Sequence, residues 1–154
     1  MRFTSGVVAL CVLSVAWNAA LAGPKPASSI PASSLIQPAD LAATLQSSTT
    51  PKPLILQVGF RTMFVQSHIS GADYAGPANE DKGLRRLRER VATLAKDSSI
   101  VIYCGCCPWD HCPNVGEAFA VLRELGFTQV RVMYIADNFG DDWVNKGYPV
   151  AKGS

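Results

Sequence analysis

Ser99-Ile100-Val101-Ile102-Tyr103-Cys104-Gly105-Cys106-Cys107-Pro108-Trp109-Asp110-His111-Cys112-Pro113-Asn114 is the most informative stretch of this 154-residue chain. Its first five residues form a continuous apolar run with β-branched side chains, as expected for a strand buried on both faces of a parallel sheet. The run ends directly in Cys104. Four of the chain's five cysteines then fall between positions 104 and 112. Asn114 reads as a helix cap, with Glu117 three residues on completing a capping box. Ala118, Leu122 and Leu125 give that helix an apolar face, and Gly126 stops it.

A cysteine between a strand end and a helix start has a physical reason to be reactive. Unpaired N–H groups and the positive end of the helix dipole stabilise a thiolate there. That environment draws a thiol below its ordinary value of about 8.5. Cys104 is therefore the candidate nucleophile, and Gly105 permits the sharp turn around its sulfur. Gly105, Cys106, Cys107, Trp109, His111 and Asn114 are the candidate substrate-binding loop.

Outward from this stretch, strands alternate with helices. Leu35-Ile36 is a short strand candidate, and a helix opens at Pro38-Ala39-Asp40-Leu41 with Leu41 and Leu45 on one face. Leu54-Ile55-Leu56-Gln57-Val58 is a second buried strand, and residues 59–76 read as irregular. A helix is expected over 81–96, with Leu84, Leu87, Val91 and Leu94 on one face. Arg85, Arg86, Arg88 and Arg90 crowd its other surface, read as a solvated face, with an anionic docking patch as the alternative. Residues 129–135 form another strand, and 138–146 a short helix around Trp143. The pattern predicts an α/β domain with a mainly parallel sheet flanked by helices. In such sheets ligands sit beyond the carboxyl ends of the strands, where Cys104 falls.

Composition bounds the rest. With 48% hydrophobic residues, 17% charged and a formal charge of +2, the chain is a globular domain without a nucleic-acid field. Residues 1–22 read as a secretory signal peptide: Arg2 supplies the positive start, an apolar core follows, and Ala20-Leu21-Ala22 sets cleavage before Gly23. Residues 23–33, rich in Pro, Ala and Ser, are expected to be a flexible leader to a domain over 34–151. Export implies a periplasmic or secreted protein, free of the membrane after cleavage, in a compartment where disulfides persist.

Taken in order, several segments resemble the single-domain rhodanese family of sulfurtransferases. Residues 34–41 resemble its opening strand and helix, and residues 54–58 its second strand. Phe64 followed by Ser67-His68-Ile69-Ser70-Gly71-Ala72 resembles its aromatic and Gly-His-Ile-Pro-Gly-Ala signature. The strand into Cys104, Leu125-Gly126-Phe127, and Trp143 through Gly147-Tyr148-Pro149-Val150 resemble the remaining segments. The resemblance implies a rhodanese-like fold and a persulfide on Cys104. Sulfane sulfur would come from a small donor and pass to a thiol or other thiophilic acceptor, a protein thiol included, with no cofactor. His68 takes a structural hydrogen-bonding role.

The chain departs from that pattern in three places. Gln57-Val58-Gly59 replaces Asp-Val-Arg, a change read as the loss of a buried ion pair with little bearing on chemistry. Ser67 and Ser70 replace the signature Gly and Pro. The loop from Gly105 to Asn114 is longer than usual and holds no Lys or Arg. His111 is its sole candidate cation, so thiosulfate binding is expected to be weak and to improve toward pH 6 as His111 protonates.

Two other chemistries use the same residues. Cys106, Cys107 and Cys112 are candidate disulfide or resolving cysteines, which would make the chain a thiol–disulfide redox protein. Cys104, Cys106, Cys107, His111 and Cys112 are soft ligands suited to zinc or Cu(I) in a non-catalytic sulfur- or metal-binding module. Paired Cys-x2-Cys knuckles are absent, however, and no metal is the primary expectation.

Overall fold

A computed structural model describes residues 30–153. The expected signal peptide and most of the leader lie outside the described residues. Packed structure begins before position 34: Ile30 is buried in the core and Ala32–Ser34 form a 3-10 turn.

The elements are β1 (Leu35–Ile36), α1 (Pro38–Gln46), β2 (Leu54–Gln57), α2 (Arg61–Gln66), β3 (His68–Ile69), β4 (Asp73–Tyr74), α3 (Asp81–Val91), β5 (Ile100–Tyr103), α4 (Pro113–Glu124), β6 (Val130–Met133) and β7 (Val150–Ala151). Five strands form one parallel sheet in the order β1-β6-β5-β2-β4. The central β5 is buried at every residue, which accounts for its unbroken apolar sequence. β3 and β7 form a separate antiparallel pair. No helix of the described residues is long and apolar enough to cross a membrane.

Strand alternation divides the core into two layers. Leu56, Ile100, Ile102, Val130 and Val132 pack on one face with Leu87 and Val91 of α3 and Val115, Ala118 and Leu122 of α4. Ile55, Val101, Tyr103 and Met133 pack on the other with Leu41 of α1, Phe64 of α2, Phe139 and Trp143. Cys104, next after Tyr103, falls with the α3–α4 layer.

Several boundaries differ from expectation. α3 stops at Val91, where the Ala92 N–H turns to the Glu89 carbonyl in the tighter i−3 pattern. The expected helix around Trp143 is a five-residue π-helical turn, Gly140–Val144, closed by Asn145 N–H to the Gly140 carbonyl at 2.8 Å. The span 59–76, expected to be irregular, holds α2, β3 and β4. These are too short to show a period, and β3 and β4 exist through distant partners, β7 and β2. Asn114 does not cap α4. Cys112 is the N-cap, and Pro113 takes the first helical position, where its missing N–H has no consequence.

Candidate functional site

Cys104 leaves the carboxyl end of the central strand and is buried. Gly105 follows with φ of +96°, in the left-handed region, and a Cβ there would lie 2.9 Å from Phe139 Cβ. The backbone of the cysteine loop is anchored twice to the segment after β6: Phe139 N–H donates to the Gly105 carbonyl, and Trp109 N–H to the Ile135 carbonyl, both at 3.0 Å.

The loop returns Cys112 to Cys104. The sulfurs of Cys104, Cys106 and Cys112 all lie within 4.8 Å of one another. Cys104 Sγ is 3.2 Å from Cys106 Sγ, which is 3.2 Å from Cys107 Sγ. All four described cysteines are free thiols, so no pair is at the bonded separation of about 2.05 Å. Cys104 and Cys112 are buried, whereas Cys106 is exposed.

The thiol that is drawn down is Cys112, not the expected Cys104. Cys112 is lowered to about 6, first by the neighbouring Cys104 thiol and then by the backbone N–H groups of Val115 and Asn114 at the start of α4. Cys104 is pushed up, first by its neighbour Cys112 and then by burial. Cys107 is pushed up mainly by desolvation. Within the cluster Cys112 is therefore the thiol favoured as thiolate, and Cys104 is held protonated beside it. Asn114, placed inside the first turn, is buried: its Oδ1 accepts Asn79 N–H at 3.0 Å and its Nδ2 faces Cys104 Sγ at 3.6 Å.

The residues that replace Asp-Val-Arg bear directly on this site. Gln57 Nε2 donates to the Cys104 carbonyl at 3.0 Å. Gln57 Oε1 is buried without a hydrogen-bond partner. A Cβ at Gly59 would lie 2.6 Å from Cys104 Sγ and 2.9 Å from Gln57 Nε2. Gly59 thus makes room for the sulfur, a role the linear pattern did not signal.

A cavity of about 580 Å³ opens over Cys104, Gly105 and Cys106. Met63, Tyr103, Phe139 and Val144 supply its apolar walls, and Gln57, Ser67, Asn138 and Lys152 its polar ones. Lys152 arrives through the β3–β7 pair, whose end is fastened by Gly153 N–H to the Val65 carbonyl at 2.9 Å. It is a cation that reading the loop alone missed, since nothing local links position 152 to position 104.

His111 and Trp109 are not in this cavity. They line a separate hollow with Tyr134 and Ile135, and His111 pairs with Asp110 at 2.8 Å on the surface. The basis for improved anion binding through His111 toward pH 6 is therefore removed. His68 is buried, donates from Nδ1 to the Phe64 carbonyl at 2.7 Å and stacks on the Phe64 ring at 3.8 Å, a packing role in the wall behind the cavity. The Cys104–Cys106–Cys112 triangle is the one group among the described residues with the spacing of a metal-ligand set; Cys107 and His111 are outside it.

No protein-family model matches the sequence, and no curated protein matches it. Solved structures do. The solution structure of the rhodanese-like domain of an Anabaena sp. protein is similar at 22% identity and a TM-score of 0.56, covering 77% of this chain and 79% of that one. A crystal structure of the same Anabaena protein aligns at 20% identity and 0.59, covering 77% and 92%. The full-length protein from Lactobacillus plantarum aligns at 21% identity and 0.59, covering 78% and 88%. The parallel sheet, its flanking helices and these likenesses together make this chain a rhodanese-like single domain by fold, with a cysteine cluster at the carboxyl end of its central strand.

Proposed function

We propose that the chain is an exported sulfurtransferase that carries sulfane sulfur as a persulfide on Cys104. The observation that carries this reading is the placement of Cys104 at the cavity, with its sulfur within 4.8 Å of the Cys112 thiol that is drawn down. As Cys104 attacks the outer sulfur of a donor, its proton passes to the Cys112 thiolate. The donor's S–S bond breaks and its remainder leaves with the electron pair. An acceptor thiolate then attacks the outer sulfur of the Cys104 persulfide, and Cys104 leaves as thiolate. Two half-reactions of this kind give ping-pong kinetics.

The cavity also bears on the donor. Its apolar walls and volume exceed what a small inorganic anion fills, and Lys152 is its one charged side chain. An organic persulfide with an acidic group matches that lining better than thiosulfate does. The test is intact-protein mass after the reduced chain meets each donor. Gain of one sulfur atom, mapped to Cys104, is expected. No gain, or gain on another cysteine alone, overturns the reading.

Thiol–disulfide exchange is the second reading, favoured by the 3.2 Å contact between Cys104 and the exposed Cys106. A Cys104–Cys106 disulfide formed and reduced reversibly during turnover, with no sulfur gained, would select it.

A further inference from the structure

Sulfur transfer through Cys104 needs one nucleophile and one proton acceptor. It leaves Cys106 unexplained, and it does not account for three sulfurs converging on a single point. We propose that Cys104, Cys106 and Cys112 form a trigonal binding site for a soft monovalent cation, Cu(I).

The geometry is close to that required. Three sulfurs set about 2.3 Å from a central ion in one plane are about 4 Å apart. The existing triangle has one edge of 3.2 Å and none above 4.8 Å, so each edge changes by less than about 1 Å on closing round an ion. The donor set is all sulfur, which suits Cu(I) over harder ions. His111 is turned to the surface against Asp110, and Cys107, whose sulfur touches that of Cys106 at 3.2 Å, does not share the common spacing of the three, so the ligand set as it stands is trigonal rather than the tetrahedral shell of structural zinc.

The surroundings support ligation. Cys112 sits at the N-cap of α4, beside the helix's first N–H groups, and the Asn114 side-chain amide faces Cys104 Sγ at 3.6 Å. Such donors orient thiolates and spread their charge, as outer-shell groups do around metal-bound sulfur. A cation at the centre favours the thiolate form of all three ligands, and the thiol protons leave to solvent on binding. The exposed Cys106 gives the ion an entry route from the cavity.

The test is an anaerobic titration of the fully reduced protein with Cu(I) held by a chromophoric chelator. One Cu(I) per chain should be withdrawn, with thiolate-to-copper charge-transfer absorption in the ultraviolet. Loss of even an outer-shell group costs metal affinity about 10- to 100-fold, so Cys106→Ser and Cys112→Ser should each lose at least that much. Cys106→Ser is decisive because an exposed side chain can be changed without disturbing the core. Cys107→Ser and His111→Ala should bind within about twofold of the parent, as expected for residues outside the ligand set. Failure to withdraw copper, undiminished binding by Cys106→Ser, or a preference for Zn(II) would overturn the proposal. The readout is independent of sulfur chemistry: a chain inert to every sulfur donor that still takes one Cu(I) would remove the sulfurtransferase reading and keep this one.

Discussion

Two short runs dominate this sequence, the four arginines of α3 and the four cysteines of the loop before α4, and the fold treats them oppositely. Three of the arginines are dispersed among separate partners. Arg86 donates to the Gly76 carbonyl and lies 5.0 Å over the Tyr74 ring, Arg90 pairs with Asp73 at 2.7 Å, and Arg88 reaches Glu124 at 3.5 Å. Their charge is spread along the helix and tied to its neighbours, as a solvated face would be. The cysteines are instead drawn together, and each sulfur changes the next. Repetition of a residue type marks a site only where the backbone turns the repeats toward one point. A helix spreads successive side chains around its axis, whereas the loop from Cys104 to Cys112 closes on itself.

The contrast can be broken most completely at Cys104. Cys104→Ser should reduce sulfur transfer to the uncatalysed background, since the persulfide needs that sulfur; donor turnover by the variant checks it. Gly59→Val should come next. Its side chain would enter the space of Cys104 Sγ, and overpacking of this kind costs about 1–3 kcal/mol. Denaturant unfolding and persulfide formation should both register the change.

Cys112→Ser tests the electrostatics of the cluster. A thiol lowered in the fold from 9.0 to about 6 adds stability that is complete above 9.0 and is lost as pH falls through about 6. Stability of the parent should therefore rise from about pH 6 toward 9.0, and the Ser variant should lose that slope. Its reaction with sulfur donors should also lose the rise centred near pH 6. An unchanged profile would place the first thiolate elsewhere.

Lys152→Gln should have a smaller effect. The side chain is exposed, so its charge is screened, and KM for an anionic donor should rise about two- to fivefold, more than kcat falls. A thiol donor without charge should not register the change. Arg88→Ala should be the mildest, within about 0.5 kcal/mol by thermal or denaturant unfolding, because its 3.5 Å pair with Glu124 is solvent-exposed. A large loss there would mean that the arginine run is more than a solvated face.

Much of the architecture is legible in the linear pattern. Ile100-Val101-Ile102-Tyr103 and Leu54-Ile55-Leu56 are continuous apolar runs because a central parallel strand is covered on both faces, so each announces its own place. Gly126 and Gly105 likewise mark left-handed turns that other residues resist. These are local constraints, written within a few residues of where they act. The short elements between 59 and 76 were not legible, because two-residue strands are made by partners far along the chain.

By itself the sequence determined a parallel α/β domain and a cysteine delivered to the carboxyl end of its central strand, since periodicity and turn chemistry act within each segment. It took the tertiary contacts to show that Cys112 rather than Cys104 is the thiol drawn down, that Gln57 and Gly59 shape the space around Cys104, and that Lys152 supplies the cavity's charge while His111 does not. The physical reason is that a thiol's ionisation and a cavity's lining depend on distances of a few ångströms, and here those distances join residues 8, 47 and 48 positions apart in the chain.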